Sequence, residues 1–163
     1  MNNTNSSGAL EAADTQQFLT FKLAGEEYGV GILTVQEIRG WSKVTKVPHT
    51  PDWLLGVINL RDVVVPIIDL RIKFNFANAE YNDTTVVIIL TVATRVVGVV
   101  VDGVSDVITL GAAQIKPAPS LGTGAHTGHI IGFGTLDERM RILMDVEKLM
   151  AGADMGLVDK AIH

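Results

Sequence analysis

Apolar and polar residues alternate along much of this chain, most clearly over residues 56–71, GVINLRDVVVPIIDLR. Two apolar runs flank the polar pair Arg61 and Asp62, a pattern that predicts two short strands joined by a tight turn. Pro66 cannot donate a ladder hydrogen bond, so we expect the second strand at a sheet edge or with that position facing outward. The stretch therefore predicts a β-hairpin.

Similar strands are predicted on either side of this hairpin. Residues 17–23, QFLTFKL, alternate, and YGVGI at 28–32 returns after a turn. Residues 33–41 fit either an extended strand or a short helical turn. TTVVIILTV and RVVGVVV, within 84–101, are rich in β-branched residues, which favour strands over a membrane helix. A last hairpin and a short helix near residue 146 end the predicted fold.

The order of these strands contains an internal repeat. A shift of 69 places residues 28–38 on 97–107, and a shift of 76 places residues 56–70 on 132–146. Each copy would hold about five strands closed by tight turns, the size of a small SH3-like barrel. The matched residues include Gly29 with Gly98, Glu37 with Asp106, Gly56 with Gly132, Leu60 with Leu136 and Asp69 with Asp145.

The predicted fold class is therefore all-β: two SH3-like five-stranded barrels that share a seam, with a short C-terminal helix. Residues 1–16 are polar and are predicted to form a flexible tail. Residues 17–150 form one domain, with a first barrel at 17–82 and a second at 83–150. Residues 151–163 are predicted to form a C-terminal tail.

Composition excludes several classes of function. The chain has 163 residues, with 13 basic and 18 acidic side chains and a net charge of −5, and it has no basic stripe for nucleic acid. Cysteine is absent, which excludes disulfides and thiolate metal sites. Neither a signal peptide nor an uninterrupted apolar span of membrane length occurs, so we expect a cytoplasmic protein without direct membrane insertion.

No group of residues combines a nucleophile, a base and an orienting partner, so we do not expect an enzyme, and no cofactor is predicted. His126 and His129 form an HxxH pair among Gly and Thr residues, with no carboxylate nearby. A solvated loop is the simpler interpretation. A small-ligand or hydrolytic β-barrel that uses this pair remains the alternative from a different class.

Surfaces are the remaining candidates. Glu37 and Arg61 carry opposite charges beside apolar residues, at corresponding edges of predicted strands. They are either two solvated surface charges or the frame of an apolar protein-binding patch. Trp53 is either core filler or an interface anchor.

Several of these segments together resemble one family. GEEYGVGILTVQEIRG, VPHTPDWLLGVINLRDVVVPIIDLR, VVGVVVDGVSDV and IKPAP are similar to CheW, the adaptor family of bacterial chemotaxis, from residue 17 to about 150. The resemblance implies two SH3-like barrels around a shared groove. It also implies an adaptor that couples methyl-accepting chemoreceptors to the histidine kinase CheA.

The resemblance further implies partners and site residues. The partners are the receptors' cytoplasmic tips, the C-terminal regulatory domain of CheA and other CheW-like domains, in arrays at the inner face of the membrane. A kinase regulatory domain and the adaptor half of CheV are rivals; because 163 residues leave no room for their extra domains, we expect neither unless this chain is a fragment. The resemblance assigns receptor and kinase coupling to Val35, Glu37, Ile38, Gly56 and Arg61. It assigns a second kinase or ring contact to Lys116 and Leu121.

The chain departs from the family pattern at two turns. Asp62 stands where the family usually has Gly after NLR, and TVATR lacks an expected turn glycine. Asp tolerates left-handed turn geometry, so we expect the hairpin to form, with an added negative charge beside Arg61. Ala93 and Thr94 must make the other reversal.

Overall fold

The computed structural model describes residues 15–76, 79–118 and 129–151. Over these ranges the chain forms eleven strands and two short α-helices. The strands are β1 (Gln16–Leu23), β2 (Glu26–Gly31), β3 (Val35–Gly40), β4 (Leu54–Leu60), β5 (Val63–Asp69), β6 (Val86–Val92), β7 (Arg95–Val101), β8 (Gly103–Leu110), β9 (Ile115–Pro117), β10 (Ile130–Leu136) and β11 (Arg139–Met144). The helices are α1 (Leu70–Lys73) and α2 (Val146–Ala151).

The strands form two sheets. Sheet I has five strands in the order β3-β6-β7-β5-β4, and sheet II has six in the order β8-β1-β2-β11-β10-β9. The prediction of an all-β fold with two subdomains and a short C-terminal helix is confirmed.

The predicted division of the chain near residue 82 does not describe these sheets. β1 and β2 belong to sheet II, although they lie in the first half of the sequence, and β6 and β7 belong to sheet I. Each sheet is joined by a parallel pairing between the two halves, β5 with β7 and β11 with β2. The two copies have therefore exchanged their first hairpins, so neither sheet is built from only one of the predicted stretches 17–82 and 83–150. Alternation of apolar residues identifies a strand but does not identify its partner.

The internal repeat is visible in the pairing registers. Leu19 pairs with Val107, and Ile88 pairs with Ile38. Ile88 is the repeat counterpart of Leu19, and Val107 is the repeat counterpart of Ile38, each at an offset of 69 residues. The hairpins β4–β5 and β10–β11 each contain a register shift at the same place, beside Gly56 and Gly132. Both predicted offsets, 69 and 76, thus describe equivalent positions in the structure.

Both faces of the central strands are buried. On β6, Ile88 and Leu90 join a core cluster that also contains Leu19 and Phe21 of sheet II. The alternate residue Ile89 joins a second cluster within sheet I. Because successive side chains point to opposite faces, each sheet packs one face on the shared seam and the other on its own interior. This explains why residues 86–92 are almost continuously apolar.

Local chemistry sets the ends of several elements. Asp69 accepts a hydrogen bond from the backbone nitrogen of Arg71 (2.9 Å) at the start of α1. Its repeat counterpart Asp145 accepts one from the nitrogen of Lys148 (3.1 Å) at the start of α2. A carboxylate that satisfies a free backbone N–H at a helix start is a standard cap. The chain therefore turns from strand to helix at equivalent points of both copies.

Some finer predictions are refined by the structure. Residues 32–40 contain both predicted alternatives, a single 3₁₀ turn (Ile32–Thr34) followed by β3. Residues 43–47 contribute a single isolated bridge, between Thr45 and Val57. Trp53 packs partly buried against the shared core, which supports the core-filling interpretation.

Candidate functional site

Five of the predicted site residues lie on sheet I. Val35, Glu37 and Ile38 are on the edge strand β3. Gly56 is on β4, the opposite edge strand, and Arg61 is in the turn between β4 and β5. In the strand order these two edges are four positions apart. Residues on these two edges can therefore touch only if the sheet curves enough to bring the edges together.

The structure brings Glu37 and Arg61 together. Arg61 Nη1 lies 2.8 Å from Glu37 Oε1, across the two edges of sheet I. An ion pair between the first and last strands requires the sheet to be rolled, as an SH3-like subdomain requires. The two opposite charges that the sequence analysis singled out are therefore in direct contact.

This ion pair contributes little to stability. The Arg61 side chain is 69% exposed and Glu37 26%. Glu37 Oε1 is shielded from solvent and has no well-aligned hydrogen bond, so the 2.8 Å approach is a charge contact. Pairs with one exposed partner contribute about 0–1 kcal/mol. The Arg61 guanidinium is therefore available to a partner at small cost to the fold, whereas Glu37 Oε1 is shielded from solvent.

The turn that carries Arg61 has an unusual backbone. Arg61 (φ 50°) and Asp62 (φ 69°) both lie in the left-handed region, as a two-residue type I′ hairpin requires. The nitrogen of Asp62 donates to Asn59 Oδ1 at 2.9 Å, which supports the turn from the preceding strand. The prediction that Asp62 would accept this geometry is confirmed. Ala93 (φ 54°) likewise reverses the chain between β6 and β7 without glycine.

Three exposed apolar residues lie close to the ion pair in the sequence. Ile38 is 44% exposed, Val63 49% and Val64 54%. Each lies within three residues of Glu37 or Arg61. We call Glu37, Ile38, Arg61, Val63 and Val64 the Arg61 patch. Val35 is different, because it is half-buried and packs against the shared core.

Gly56 has a structural reason to be glycine. Its φ is 153°, and a Cβ at this position would overlap the backbone carbonyl of Thr45. Thr45 and Val57 exchange two backbone hydrogen bonds, of 2.9 and 2.8 Å, directly beside it. Gly56 therefore lets the segment after β3 lie close against β4, below the Arg61 turn.

The second predicted contact lies on the other sheet. Lys116 is exposed on β9, the three-residue edge strand of sheet II, where it pairs with Phe133. Leu121 and His126 lie outside the described residues. His129 stacks on Phe74 with ring centroids 4.7 Å apart. Among residues 15–76, 79–118 and 129–151, no group of three or more His, Asp or Glu side chains could hold a metal ion.

A buried polar network at the seam was missed by the sequence analysis. Arg71 is 3% exposed and contacts Asp69 and Asp102, at 3.0 and 2.9 Å. The Tyr81 hydroxyl donates to Asp69 Oδ2 at 2.6 Å, and the nitrogen of Ala24 donates to Asp102 Oδ2 at 2.8 Å. These contacts tie β5, the connector before β6 and the β1–β2 turn to one guanidinium.

This network stabilises the charged form of Arg71. Burial alone would lower the pKa of Arg71, but hydrogen bonds and charge attraction from Asp69 and Asp102 outweigh it and raise the pKa. In the sequence, the only sign of this network was the Asp-Leu-Arg of residues 69–71, a pattern that is equally typical of the end of a strand. Asp102 is 31 residues from Arg71, so its role required the structure.

The part of the chain that the structure describes contains no helix long and apolar enough to cross a bilayer.

Comparison with known proteins agrees with this geometry. The family model described as CheW-like domain matches residues 17–154. The chain is 55% identical over 144 residues to the chemotaxis protein CheW of Klebsiella aerogenes, covering 88% of this chain and 87% of that protein. It is 37% identical over 136 residues to a probable chemotaxis protein CheW of Rhizobium etli, covering 83% and 88%.

A solved structure has the same fold. The scaffolding protein TtCheW from Thermoanaerobacter tengcongensis superposes with a TM-score of 0.78 at 30% identity, over 85% of this chain and 94% of that chain. The family match spans both sheets and the whole Arg61 patch. The chain therefore belongs to the CheW-like domain family of chemotaxis scaffold proteins.

Proposed function

We propose that this chemotaxis scaffold couples methyl-accepting chemoreceptors to the histidine kinase CheA, and that the Arg61 patch is where the coupling occurs. The observation that carries the proposal is the Glu37–Arg61 ion pair across the edges of sheet I, next to exposed apolar residues. An apolar surface framed by polar groups is the usual anatomy of a protein-binding site. A helical receptor tip would lay its apolar face on such a patch.

The charges of the patch suit exchange with a partner. Because the ion pair contributes little to folding, Arg61 can turn to a partner carboxylate and Glu37 to a partner cation without loss of the fold. Asp62 is exposed next to Arg61 and adds a negative charge there. We expect Asp62 to reduce the attraction of Arg61 for acidic partners.

A second contact would connect the scaffold to the regulatory domain of CheA or to other CheW-like domains. We place it at Lys116 and Leu121, of which Lys116 lies on the exposed edge strand β9, in a different sheet from the Arg61 patch. Two separated surfaces would let one molecule bridge two neighbours. Many linked contacts of modest strength would then hold an array together by avidity.

The proposed role is not enzymatic and uses no cofactor. Within the described residues, the candidate surfaces consist of apolar and charged side chains suited to protein contact. The scaffold would act in the cytoplasm, at receptor arrays on the inner face of the membrane.

The proposal is tested by CheA autophosphorylation in receptor-containing membranes, with wild type, Glu37→Lys, Arg61→Glu and the double variant with both reversals. Each single reversal replaces the attraction of this ion pair by repulsion between like charges, so we expect at least a tenfold loss of kinase stimulation with an unchanged fold. The double variant restores the internal pair but presents each charge at the wrong position. We expect it to fold normally and to remain impaired.

Asp83→Lys provides the control, because Asp83 is exposed in the connector before β6. Pull-downs with receptor tips and with the CheA regulatory domain, performed separately, assign the loss to one partner. If Glu37→Lys and Arg61→Glu bind both partners and stimulate the kinase as wild type does, the assignment of the Arg61 patch is wrong.

A further inference from the structure

The two copies of the repeat differ in the interior of their sheets. In sheet I, Val65 and Ile89 are fully buried, and Val96 packs with them in one apolar cluster. The corresponding positions of sheet II, by the offsets of 76 and 69, hold Arg141, Thr20 and Glu27. Arg141 is 5% exposed and Thr20 1%. A position that one copy fills with valine is therefore occupied by a buried guanidinium in the other.

The guanidinium of Arg141 is only partly satisfied. Its Nη1 donates to the carbonyls of Leu136 and Arg139, at 2.6 and 3.0 Å. Its Nε lies 3.2 Å from Glu27 Oε2 but makes no aligned hydrogen bond. The same Glu27 oxygen accepts a 2.5 Å hydrogen bond from Arg139 Nη2. One carboxylate oxygen thus serves two guanidinium groups, and a buried N–H is left without a partner.

Such an arrangement is costly to the fold. A buried polar group without a hydrogen bond destabilises by about 1–3 kcal/mol, and more when it is charged. The first copy shows that this fold accepts valine at the same position. Stability alone does not explain Arg141, whereas a bound group that completed its hydrogen bonding would.

Next to Arg141 an open cavity of about 650 Å³ lies against β1, β8 and β11. Its cations are Lys22, Arg139 and Arg141, and its anions are Glu27, Asp102 and Asp106. Asp102 is already bound by Arg71 and by the nitrogen of Ala24. Asp106 Oδ1 accepts from the nitrogen of Val107 at 2.7 Å. With Asp102 neutralised, three cations face two carboxylates, and the cavity has an excess of hydrogen-bond donors.

We propose that this cavity binds a carboxylate group, which Arg141 and Arg139 recognise together. The incoming carboxylate would take the place of Glu27 and accept from Arg141 Nε and from the guanidinium of Arg139, which is 61% exposed and bound to Glu27. Glu27 acts as an internal competitor that holds both arginines while the cavity is empty of ligand. The carboxylate can belong to a free dicarboxylate or to an acidic side chain of a peptide, and the volume is that of an ordinary ligand pocket.

The test uses ¹H–¹⁵N NMR of the full chain and follows the backbone amide signals of Gly103 and Val104, which line the cavity and are present in every variant, together with the Arg141 Nε–Hε signal where Arg141 is retained. The protein is titrated with succinate and, separately, with a peptide of alternating Glu and Ser. Sodium chloride at equal ionic strength is the reference. We expect a saturable shift with a Kd below about 10 mM for one of the two ligands. Succinate binding without peptide binding indicates a free ligand, and the converse indicates a protein side chain.

Three variants make the proposal falsifiable. Arg141→Val restores the residue of the other copy, so it should fold well and lose at least tenfold in affinity. Glu27→Gln removes the competing carboxylate, so it should bind several-fold more tightly. Lys46→Met removes an exposed cation from the segment between β3 and β4, away from the cavity, and should bind as wild type does. The proposal is overturned if neither ligand shifts the signal beyond the chloride reference, or if Arg141→Val binds unchanged.

Discussion

At the scale of single residues, Tyr81 shows how a partly exposed side chain can belong to a buried network. Its ring stacks on Trp41, with centroids 4.6 Å apart, and lies under the Arg71 guanidinium at 5.0 Å. Burial first, and then the hydrogen bond to Asp69, raise the pKa of Tyr81 from 10.0 to about 12. The neutral hydroxyl is the form that the fold stabilises, because only that form can donate to the carboxylate.

Tyr81 should therefore make stability depend on pH in alkaline solution. A pKa that is raised on folding adds stability below pH 10, and this contribution is lost as pH rises from about 10 to about 12. Tyr81→Phe removes the hydroxyl, so it should cost about 1 kcal/mol at neutral pH, a low value for a charged acceptor because the ring is 41% exposed.

Denaturant unfolding of both proteins, at neutral pH and near pH 11, measures the effect. The difference between Tyr81→Phe and wild type should shrink as the pH rises. Tyr28, the other tyrosine, also has a raised pKa, through burial and then Glu26, so the comparison must be made between the two proteins and not within one titration. A difference that stays constant with pH would show that the hydroxyl is not the titrating group.

At the scale of elements, the β4–β5 hairpin presents Arg61 at the cost of backbone strain. Two consecutive residues with side chains occupy the left-handed region, each costing about 1 kcal/mol relative to glycine. The equivalent turn of the second copy has the same conformation, with Asp137 at φ 53° and Glu138 at φ 64°. Both copies thus keep charged residues at a position that favours glycine, which places charges at the hairpin tips.

Asp62→Gly should therefore stabilise the protein and strengthen coupling together. Glycine relieves the strain at φ 69° and retains the backbone nitrogen that donates to Asn59, so we expect a gain of about 0.5–1 kcal/mol in the free energy of unfolding. It also removes the negative charge beside Arg61, so affinity for acidic partners should rise. Thermal unfolding and the receptor pull-down measure the two effects.

Asp62→Ala separates the two effects, because it removes the charge and keeps the strained Cβ. It should raise affinity without raising stability. If Asp62→Gly is less stable than wild type, the carboxylate makes a contribution to the turn that outweighs the strain.

The sequence predicted most of these elements and part of the site, for identifiable reasons. Period-two alternation located the hairpins, and the polar pair Arg61 and Asp62 located the turn. Glu37 and Arg61 could be placed at strand edges, and the structure brings them into contact. Arg71 was missed because its partners Asp69 and Asp102 lie in segments whose proximity depends on how the sheets meet. Arg141 looked like one polar residue of an alternating strand, and its burial, at 5% exposed, became visible only in the structure.

At the scale of the whole molecule, the exchange of hairpins makes the two sheets depend on each other. Sheet I takes β6 and β7 from the second copy, and sheet II takes β1 and β2 from the first. The largest core cluster contains residues of both sheets, including Phe21, Ile88 and Met144. The seam is also closed by the Arg71 network, which joins segments from both halves of the sequence. The relative position of the Arg61 patch and the edge strand β9 is fixed by this shared core.

This architecture predicts that neither half of the chain folds alone. A fragment of residues 1–82 keeps β1 to β5 but lacks β6 and β7, which lie between β3 and β5 in sheet I. Without β6 and β7, the edge strand β3 has no partner, and apolar residues such as Ile67 and Leu54 become exposed to solvent. The fragment then cannot bury enough apolar surface to offset the chain entropy that folding removes. The fragment of residues 83–163 lacks β1 and β2, which lie between β8 and β11 in sheet II.

Each fragment should be unfolded by circular dichroism and NMR, and an equimolar mixture should recover the wild-type spectrum, because all strand pairings form again between the two chains. Two contiguous barrels would give the opposite result, with cooperative unfolding of a fragment on its own, and that outcome would refute the exchanged topology.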